Sequence, residues 1–309
     1  MEYILLAIAV MLGASKNIFT KIVKKNAVSF YDTMKMNVIT FAFALVAVFL
    51  IGITSIKTTF QVPWALVVCY AVCTLGSQVA LMKAVELGSV SISSLFYSCG
   101  FMLPTLFGSI YYQEEINALH IVGLVLIIVS FVCSAKKEEG KKFNFAWLIA
   151  ALGGLLFSGM VGIMQKLFTN ECVEYKLDNF LCVAFMLIIA ISAVAMFFAW
   201  LYNRKKQGQV QPQPQDKVDC KVKTSVLVKQ YIFTVLLGVV MGLVNKTNTF
   251  LSGVLPSVLV FPIINGGVIL TTTICSMLIF KEKLTLMQKI GLVIGILGII
   301  SITIGKALV

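Results

Sequence analysis

The chain has 309 residues, of which 59% are hydrophobic and 12% are charged, and its mean hydropathy is +0.97. Soluble globular proteins carry about 45–50% apolar and about 25% charged residues, so this composition excludes a water-soluble enzyme. It indicates a protein that crosses the membrane several times. The net charge of +12 then bears on orientation in the membrane, and we expect no nucleic acid as a partner.

Ten apolar runs are long enough to cross the hydrocarbon core of a bilayer, which takes about 20 apolar residues. The runs are continuous and do not alternate at every second residue, so they predict helices rather than barrel strands. No basic region precedes the first run, so we expect it to stay as a spanning helix and not to be cleaved. The predicted spans 1 to 10 cover residues 3–22, 31–53, 63–84, 91–112, 118–135, 146–168, 179–202, 231–251, 257–280 and 285–305.

Residues 203–230, between spans 7 and 8, differ from the other connections. They are polar, rich in Gln and Pro, and poor in large apolar residues. Such a composition cannot bury a core, so it predicts a flexible linker rather than a domain. The cysteines show no C-x-x-C spacing and mostly read as small buried hydrophobes, so we expect neither a metal nor a cofactor. Six of them lie inside apolar runs: Cys69, Cys73, Cys99, Cys133, Cys182 and Cys275.

Basic residues outside the spans are distributed unequally between the two sides of the membrane. The loops after spans 1, 3, 5, 7 and 9 hold fifteen of them, whereas the opposite side holds Lys57, Lys176 and Lys306. Basic residues in short loops stay in the cytoplasm, which predicts a cytoplasmic 203–230 linker and external termini. The fifteen are Lys24, Lys25, Lys136, Lys137, Lys141, Lys142, Arg204, Lys205, Lys206, Lys217, Lys221, Lys223, Lys229, Lys281 and Lys283.

The chain repeats itself. Residues 84–128 fall without a gap on residues 252–296 when they are shifted by 168, and span 1 matches span 6 at a shift of 145. Each repeat contains five spans, an odd number, so the two halves must enter the membrane from opposite sides. The sequence predicts two inverted five-helix repeats, residues 1–135 and 145–309, an arrangement typical of transporters with a binding site between the halves.

The helix count, the five-plus-five duplication and the repeated helix junctions resemble the EamA-like members of the drug/metabolite transporter superfamily. In that family the fourth helix of each repeat ends in an aromatic residue, a Glu and a polar turn before a Gly-containing fifth helix. Glu114 with Gly123 and Glu282 with Gly291 carry this pattern, and Lys35 stands where the family often has an Arg. The resemblance implies an alternating-access carrier, with spans 5 and 10 outside its cavity. It does not name the substrate.

Ionisable groups deep in a membrane are costly and usually functional. All thirteen acids lie in loops or near helix ends, so no acid matches the depth of Lys246 and no acid-based proton relay is visible. We therefore expect Lys246 to point inward, toward Tyr97 and Asn265, and to bind an anionic group of the substrate. Lys16 is the second candidate cation. His120 is interpreted as a solvated residue at the start of span 5.

Neutral polar residues within the spans supply the remaining candidate ligands. Pro104 and Pro262 each free a backbone carbonyl and permit a kink, which a membrane helix tolerates beside protein or water. Ser98 fits site and ordinary helix packing equally well, because small residues let membrane helices approach closely. The full set of predicted substrate-binding residues is Lys246, Tyr97, Asn265, Asn245, Gln78, Lys16, Asn248, Ser98 and Ser94.

The leading hypothesis is a secondary carrier or exporter of a small polar metabolite, an amino acid or a related zwitterion or anion, in the plasma membrane. The alternatives are a cationic drug or amine exporter and a nucleotide-sugar or sugar-phosphate exchanger. From another class, a membrane receptor or enzyme stays open, but no paired acid and base and no buried Ser-His-Asp set is visible, so we expect no enzyme. The partners are then a small-molecule substrate and the lipid bilayer, with a homodimer left open.

Overall fold

The computed structural model describes residues 2–24, 30–52, 60–88, 90–134, 145–207, 224–280 and 285–307. Within these ranges the chain is helical and has no strand, so the predicted all-α membrane class is confirmed. The eleven helices are α1 (Glu2–Lys24), α2 (Phe30–Gly52), α3 (Trp64–Leu87), α4 (Val90–Cys99), α5 (Met102–Tyr111), α6 (Ala118–Ser134), α7 (Phe145–Glu171), α8 (Leu177–Gln207), α9 (Thr224–Val254), α10 (Ser257–Phe280) and α11 (Leu286–Ala307).

Ten predicted spans become eleven helices because span 4 is broken. Eight helices in the described ranges are long and apolar enough to cross a membrane alone, and the shorter α6 is apolar as well. The tenth span is the pair α4 and α5, interrupted at Gly100 and Phe101. The prediction of ten transmembrane helices fits this arrangement.

The break in span 4 follows from Pro104. Proline has no amide hydrogen, and its ring crowds the carbonyl four residues earlier, which here belongs to Gly100. The Gly100 carbonyl instead accepts a hydrogen bond from the Leu103 amide at 3.1 Å. The Tyr97 carbonyl accepts the Ser158 hydroxyl of α7 at 2.9 Å, which ties the break to a neighbouring helix. Pro262 causes no such interruption, because α10 continues through it.

Two helices extend beyond their predicted spans. α8 and α9 have 31 residues each, about 46 Å at 1.5 Å per residue, which exceeds the hydrocarbon core of about 30 Å. α8 ends at Gln207 and α9 begins at Thr224. Both ends of the predicted 203–230 linker are therefore helical, which corrects its boundaries. Residues 208–223 lie outside the described ranges.

Helices α6 and α11 pack against each other through residues that are equivalent in the two repeats. Under the shift of 168, Gly123 corresponds to Gly291 and Ser130 to Gly298. A side chain on Gly298 would meet the Gly123 carbonyl at 3.0 Å, while the Ser130 hydroxyl donates to the Gly291 carbonyl at 2.6 Å. Each contact is the counterpart of the other, as a two-fold relation between the halves would produce.

The beginnings of α6 and α11 carry matching caps. The Asn117 side chain accepts the amide of His120 at 3.0 Å, and His120 Nδ1 accepts the Asn117 amide at 3.2 Å. Thr285 and Gln288 make the same reciprocal pair at the start of α11, and this is a capping box. His120 is only 2% exposed. The interpretation of His120 as a solvated residue was therefore wrong, because its ring caps the helix and packs near Gly305.

Candidate functional site

Two adjoining chambers lie inside the helix bundle. The sequence predicts most basic loop residues on the side of the membrane where α1 ends and α2 begins, so we call this end of the bundle the basic end and the other the opposite end. The inner chamber, about 170 Å³, lies toward the basic end, and the central chamber, about 160 Å³, lies deeper. Four residues line both chambers and mark their junction: Lys16, Gln78, Tyr97 and Met241.

The helices that form these chambers agree with the resemblance. None of the residues that line either chamber comes from α6 or α11, which correspond to spans 5 and 10. The break between α4 and α5 places Tyr97, Phe101 and Pro104 at the wall of the central chamber. A helix interruption at this depth needs protein or water beside it, and the chamber supplies such surroundings.

Six of the nine predicted ligands line the central chamber. Two of their amides are partly used within the protein: Asn265 donates to the Phe261 carbonyl at 2.8 Å, and Asn245 accepts the Tyr70 hydroxyl at 2.7 Å. Asn248 Oδ1 is buried and has no hydrogen-bond partner among the described residues. A buried polar atom without a partner is costly, and a bound molecule that donates a hydrogen bond to this oxygen would relieve that cost. The six are Lys16, Gln78, Tyr97, Asn245, Asn248 and Asn265.

Charge is distributed asymmetrically in the chambers. Among the described residues that line them, Lys16 is the only lysine, arginine or histidine, and none is an aspartate or glutamate. The position of Lys16 in the second repeat is held by Val161 under the shift of 145, so the first repeat alone supplies the cation. Both chambers therefore favour an anionic group over a cationic one.

Lys246 does not line either chamber, which corrects the prediction that it points toward Tyr97 and Asn265. Its Nζ lies 2.7 Å from Oδ1 of Asp178, and the two side chains are 26% and 21% exposed. The expectation that no acid matches the depth of Lys246 was wrong. Asp178 stands in the first turn of α8, and the packing of α8 against α9 brings that turn beside Lys246.

A second ion pair closes the opposite end of the bundle. Lys166 Nζ lies 2.7 Å from Glu114 Oε1, and the side chains are 5% and 13% exposed. Glu114 also accepts the backbone amide of Ser257 at 2.6 Å, at the start of α10, where a carboxylate is favoured by the helix dipole. Lys166 donates to the Leu255 carbonyl at 3.3 Å. These contacts, which we call the outer seal, join the loop after α5 to α7 and to the start of α10. In α7, Lys166 directly follows Gln165, which lines the central chamber.

Three further predicted residues lie away from the chambers. Ser94 is exposed on α4, and neither it nor Ser98 is among the residues that line either chamber. Tyr97, three residues after Ser94 in the same helix α4, is the one of these that lines both chambers. Pro262 is buried within α10 and is also absent from both linings.

Several polar residues of the chambers escaped the sequence interpretation. Thr74, Ser77, Ser158 and Gln165 line the central chamber. Gln165 corresponds to Thr20 of the inner chamber under the shift of 145, and Ser77 corresponds to Asn245 under the shift of 168. The repeat could therefore have indicated these two. Among the described residues, no cluster of three or more His, Cys, Asp or Glu residues is placed to hold a metal ion.

Comparison with known proteins agrees with this architecture. The EamA-like transporter family matches residues 1–135 and 145–304. An uncharacterized protein of Haemophilus influenzae is 22% identical over 231 residues, which cover 72% of this chain and 69% of that protein. A protein crystal structure shares the fold at a TM-score of 0.71 and 15% identity, covering 99% of this chain and 98% of that one. The chain belongs to the EamA-like transporter family, and it is a multi-pass membrane transporter.

Proposed function

We propose that the chain is a secondary carrier, in the plasma membrane, for a small polar metabolite with an anionic group, such as an amino acid or a related zwitterion or anion. The observation that carries the proposal is the position of Lys16. It lines both chambers, and none of the described residues that line them carries a carboxylate. A lysine in this place binds an anion as a point charge and leaves a cation without a charged partner.

The neutral polar groups of the central chamber support a substrate of limited size. Tyr97, Gln78, Asn248 and Asn265 surround a volume of about 160 Å³, and amide and hydroxyl groups donate and accept hydrogen bonds without a fixed charge. They can contact the uncharged parts of a substrate whose carboxylate meets Lys16. An ammonium group would have to be held by amide oxygens and by the face of the Tyr97 ring.

The outer seal supports alternating access as the mechanism. In this conformation Lys166 and Glu114 hold α5, α7 and α10 together at one end, while the inner chamber lies toward the other end. Release of the substrate at the sealed end requires these contacts to separate. Since the described lining of the chambers contains no carboxylate, facilitated export or exchange is favoured over proton coupling through a cavity acid.

The alternatives differ in the charge that they require. A cationic drug or amine exporter would be expected to place a carboxylate in its cavity, and none of the described lining residues carries one. A sugar phosphate or nucleotide sugar carries more negative charge than Lys16 alone neutralises. An enzyme or receptor is less compatible with the family, whose members are transporters.

Transport by the purified chain in proteoliposomes tests the proposal. The lipid vesicles would be loaded with one unlabelled L-amino acid or left empty, and uptake of the same amino acid in ¹⁴C-labelled form would be followed for glutamate, alanine, phenylalanine and lysine. We expect uptake of at least one zwitterionic or anionic amino acid, with acceleration by internal counter-substrate. Uptake of lysine alone, or of a quaternary ammonium ion such as ¹⁴C-labelled tetraethylammonium, would favour the cationic exporter.

A further inference from the structure

The inner chamber contains a buried hydrogen-bond donor that the fold leaves without a partner. Asn37 of α2 lines this chamber, and its Nδ2 atom is buried and makes no hydrogen bond to any residue of the described ranges. An unsatisfied amide inside a protein costs free energy that water or a bound ligand can recover. The atom is a donor, so it selects an acceptor such as a carboxylate or sulfonate oxygen.

The cation at the junction lies in the same cavity. Lys16 lines the inner chamber together with Asn37 and Thr40, and no acidic residue of the described ranges is part of its lining. Apolar side chains form much of the remaining wall: Val23, Met36, Phe41, Leu81, Leu237 and Met241. Low-dielectric walls screen a charge less than water does, so the field of Lys16 acts across this chamber.

We propose that the inner chamber is a binding site for small anions in its own right, held by Lys16 and the Asn37 amide, which an anion occupies before it reaches the central chamber. The ligand class is a carboxylate or sulfonate of a few heavy atoms. The proposal deepens the proposed function and rests on it only in taking this cavity as the transport path. Asn37 and Lys16 would then decide which charge the carrier admits.

A pair of thiol reagents of opposite charge and similar size tests this without a known substrate. Thr40 lines the inner chamber and is 7% exposed, so Thr40→Cys places a thiol there with little change in volume. The full chain, purified in detergent, would react with anionic 2-sulfonatoethyl methanethiosulfonate or with cationic 2-(trimethylammonio)ethyl methanethiosulfonate. Intact mass gives each rate, the wild-type chain gives the contribution of native cysteines, and 2-mercaptoethanol gives the intrinsic ratio of the reagents.

We expect the anionic reagent to be favoured about tenfold over its ratio with 2-mercaptoethanol, as a nearby unit charge predicts. Adding Lys16→Gln should bring the ratio to within about twofold of that for 2-mercaptoethanol, whereas Lys16→Arg should keep the preference. Asn37→Asp, which has nearly the same shape, adds a negative charge that offsets Lys16, so it should also bring the ratio toward that for 2-mercaptoethanol. Lys35→Gln is the matched control, because Lys35 is exposed on α2 and does not line the chamber, and it should leave the ratio unchanged.

The proposal is overturned if the cationic reagent is favoured, if neither reagent reaches Thr40→Cys, or if Lys16→Gln leaves the ratio unchanged. The result is independent of the transport assay. A preference that depends on Lys16 in a chain that carries no amino acid would leave this site standing and remove the proposed substrate. Amino-acid transport without any anion preference would do the reverse.

Discussion

The ammonium nitrogen of Lys246 lies 2.7 Å from the carboxylate of Asp178, and this ion pair joins α9 to the first turn of α8. Gly52 of α2 closes the space on the other side, since a side chain there would meet Asp178 Cγ at 2.6 Å. The pair thus lies where α2, α8 and α9 meet. A lysine held in this way contributes to the packing of three helices and does not face either chamber.

Neutralising Lys246 and Asp178 singly and together separates this structural role from substrate binding. We expect Lys246→Met and Asp178→Asn each to lower the free energy of unfolding, because each leaves a partly buried charge without its partner. In the double variant, coupling of about 1–2 kcal/mol should recover much of the loss. Unfolding in mixed detergent and sodium dodecyl sulfate measures this. A double variant that folds as well as wild type but does not transport would show that Lys246 contacts substrate after all.

The outer seal should control access to the central chamber from the opposite end. Ser158→Cys places a thiol in the central chamber wall. Glu114→Gln removes the charge that pairs with Lys166, and breaking a buried ion pair costs about 3–5 kcal/mol. We expect Glu114→Gln to increase the labelling of Ser158→Cys by a membrane-impermeant reagent added at that end by at least about tenfold. Glu86→Gln is the control, since Glu86 pairs only with exposed Lys83. Equal labelling in both variants would contradict the seal.

The contact between α6 and α11 depends on glycine at Gly123. A Cβ atom there would lie 2.5 Å from Ile302 and 2.7 Å from the Gly298 carbonyl, and overpacking of this kind costs about 1–3 kcal/mol. We expect Gly123→Ala to destabilise the chain by that amount. Gly153→Ala is the matched control, because its Cβ would meet Ala80 at 3.7 Å and alanine is the better helix former. If both variants unfold alike, the close approach of the two helices is not required.

The orientation can be tested with two native cysteines. Cys172 lies in the loop between α7 and α8, and Cys220 lies in the predicted cytoplasmic linker, outside the described residues. From intact cells, an impermeant maleimide should label Cys172 and not Cys220. Burial, with Glu174 and Glu171 nearby, raises the pKa of the Cys172 thiol, so its thiolate fraction and labelling rate should keep rising between pH 7 and 9. Labelling of Cys220 in intact cells would show that the orientation is the reverse of the predicted one.

The continuous apolar runs and the duplication in the sequence were sufficient to predict the helical class and most helix boundaries. Apolar runs of membrane length carry strong signals, and the shift of 168 aligns the caps Asn117–His120 and Thr285–Gln288. Pro104 indicated a kink where the structure has the break at Gly100. Pro262 indicated a kink as well, but α10 continues through it.

The candidate site could be predicted only in part, because pairing between distant helices has no local signal. Asp178 and Lys246 are 68 positions apart, and nothing in either segment indicates that the folded helices bring them together. Asn37 shows the same limit from the other side. It stands in span 2 among apolar residues, and only the packing of α2 against α9, with α1 across the cavity, makes it part of a chamber.

Transport by Lys16 variants tests whether Lys16 binds the substrate. Wild type, Lys16→Gln and Lys35→Gln would be reconstituted in parallel, and initial uptake of the best ¹⁴C-labelled amino acid would be measured with internal counter-substrate. We expect Lys16→Gln to lose at least about 90% of the wild-type rate, because removing the cation removes the partner of the substrate carboxylate, and Lys35→Gln to keep it. A Lys16→Gln chain that transports the same amino acid at the wild-type rate and affinity would contradict the claim.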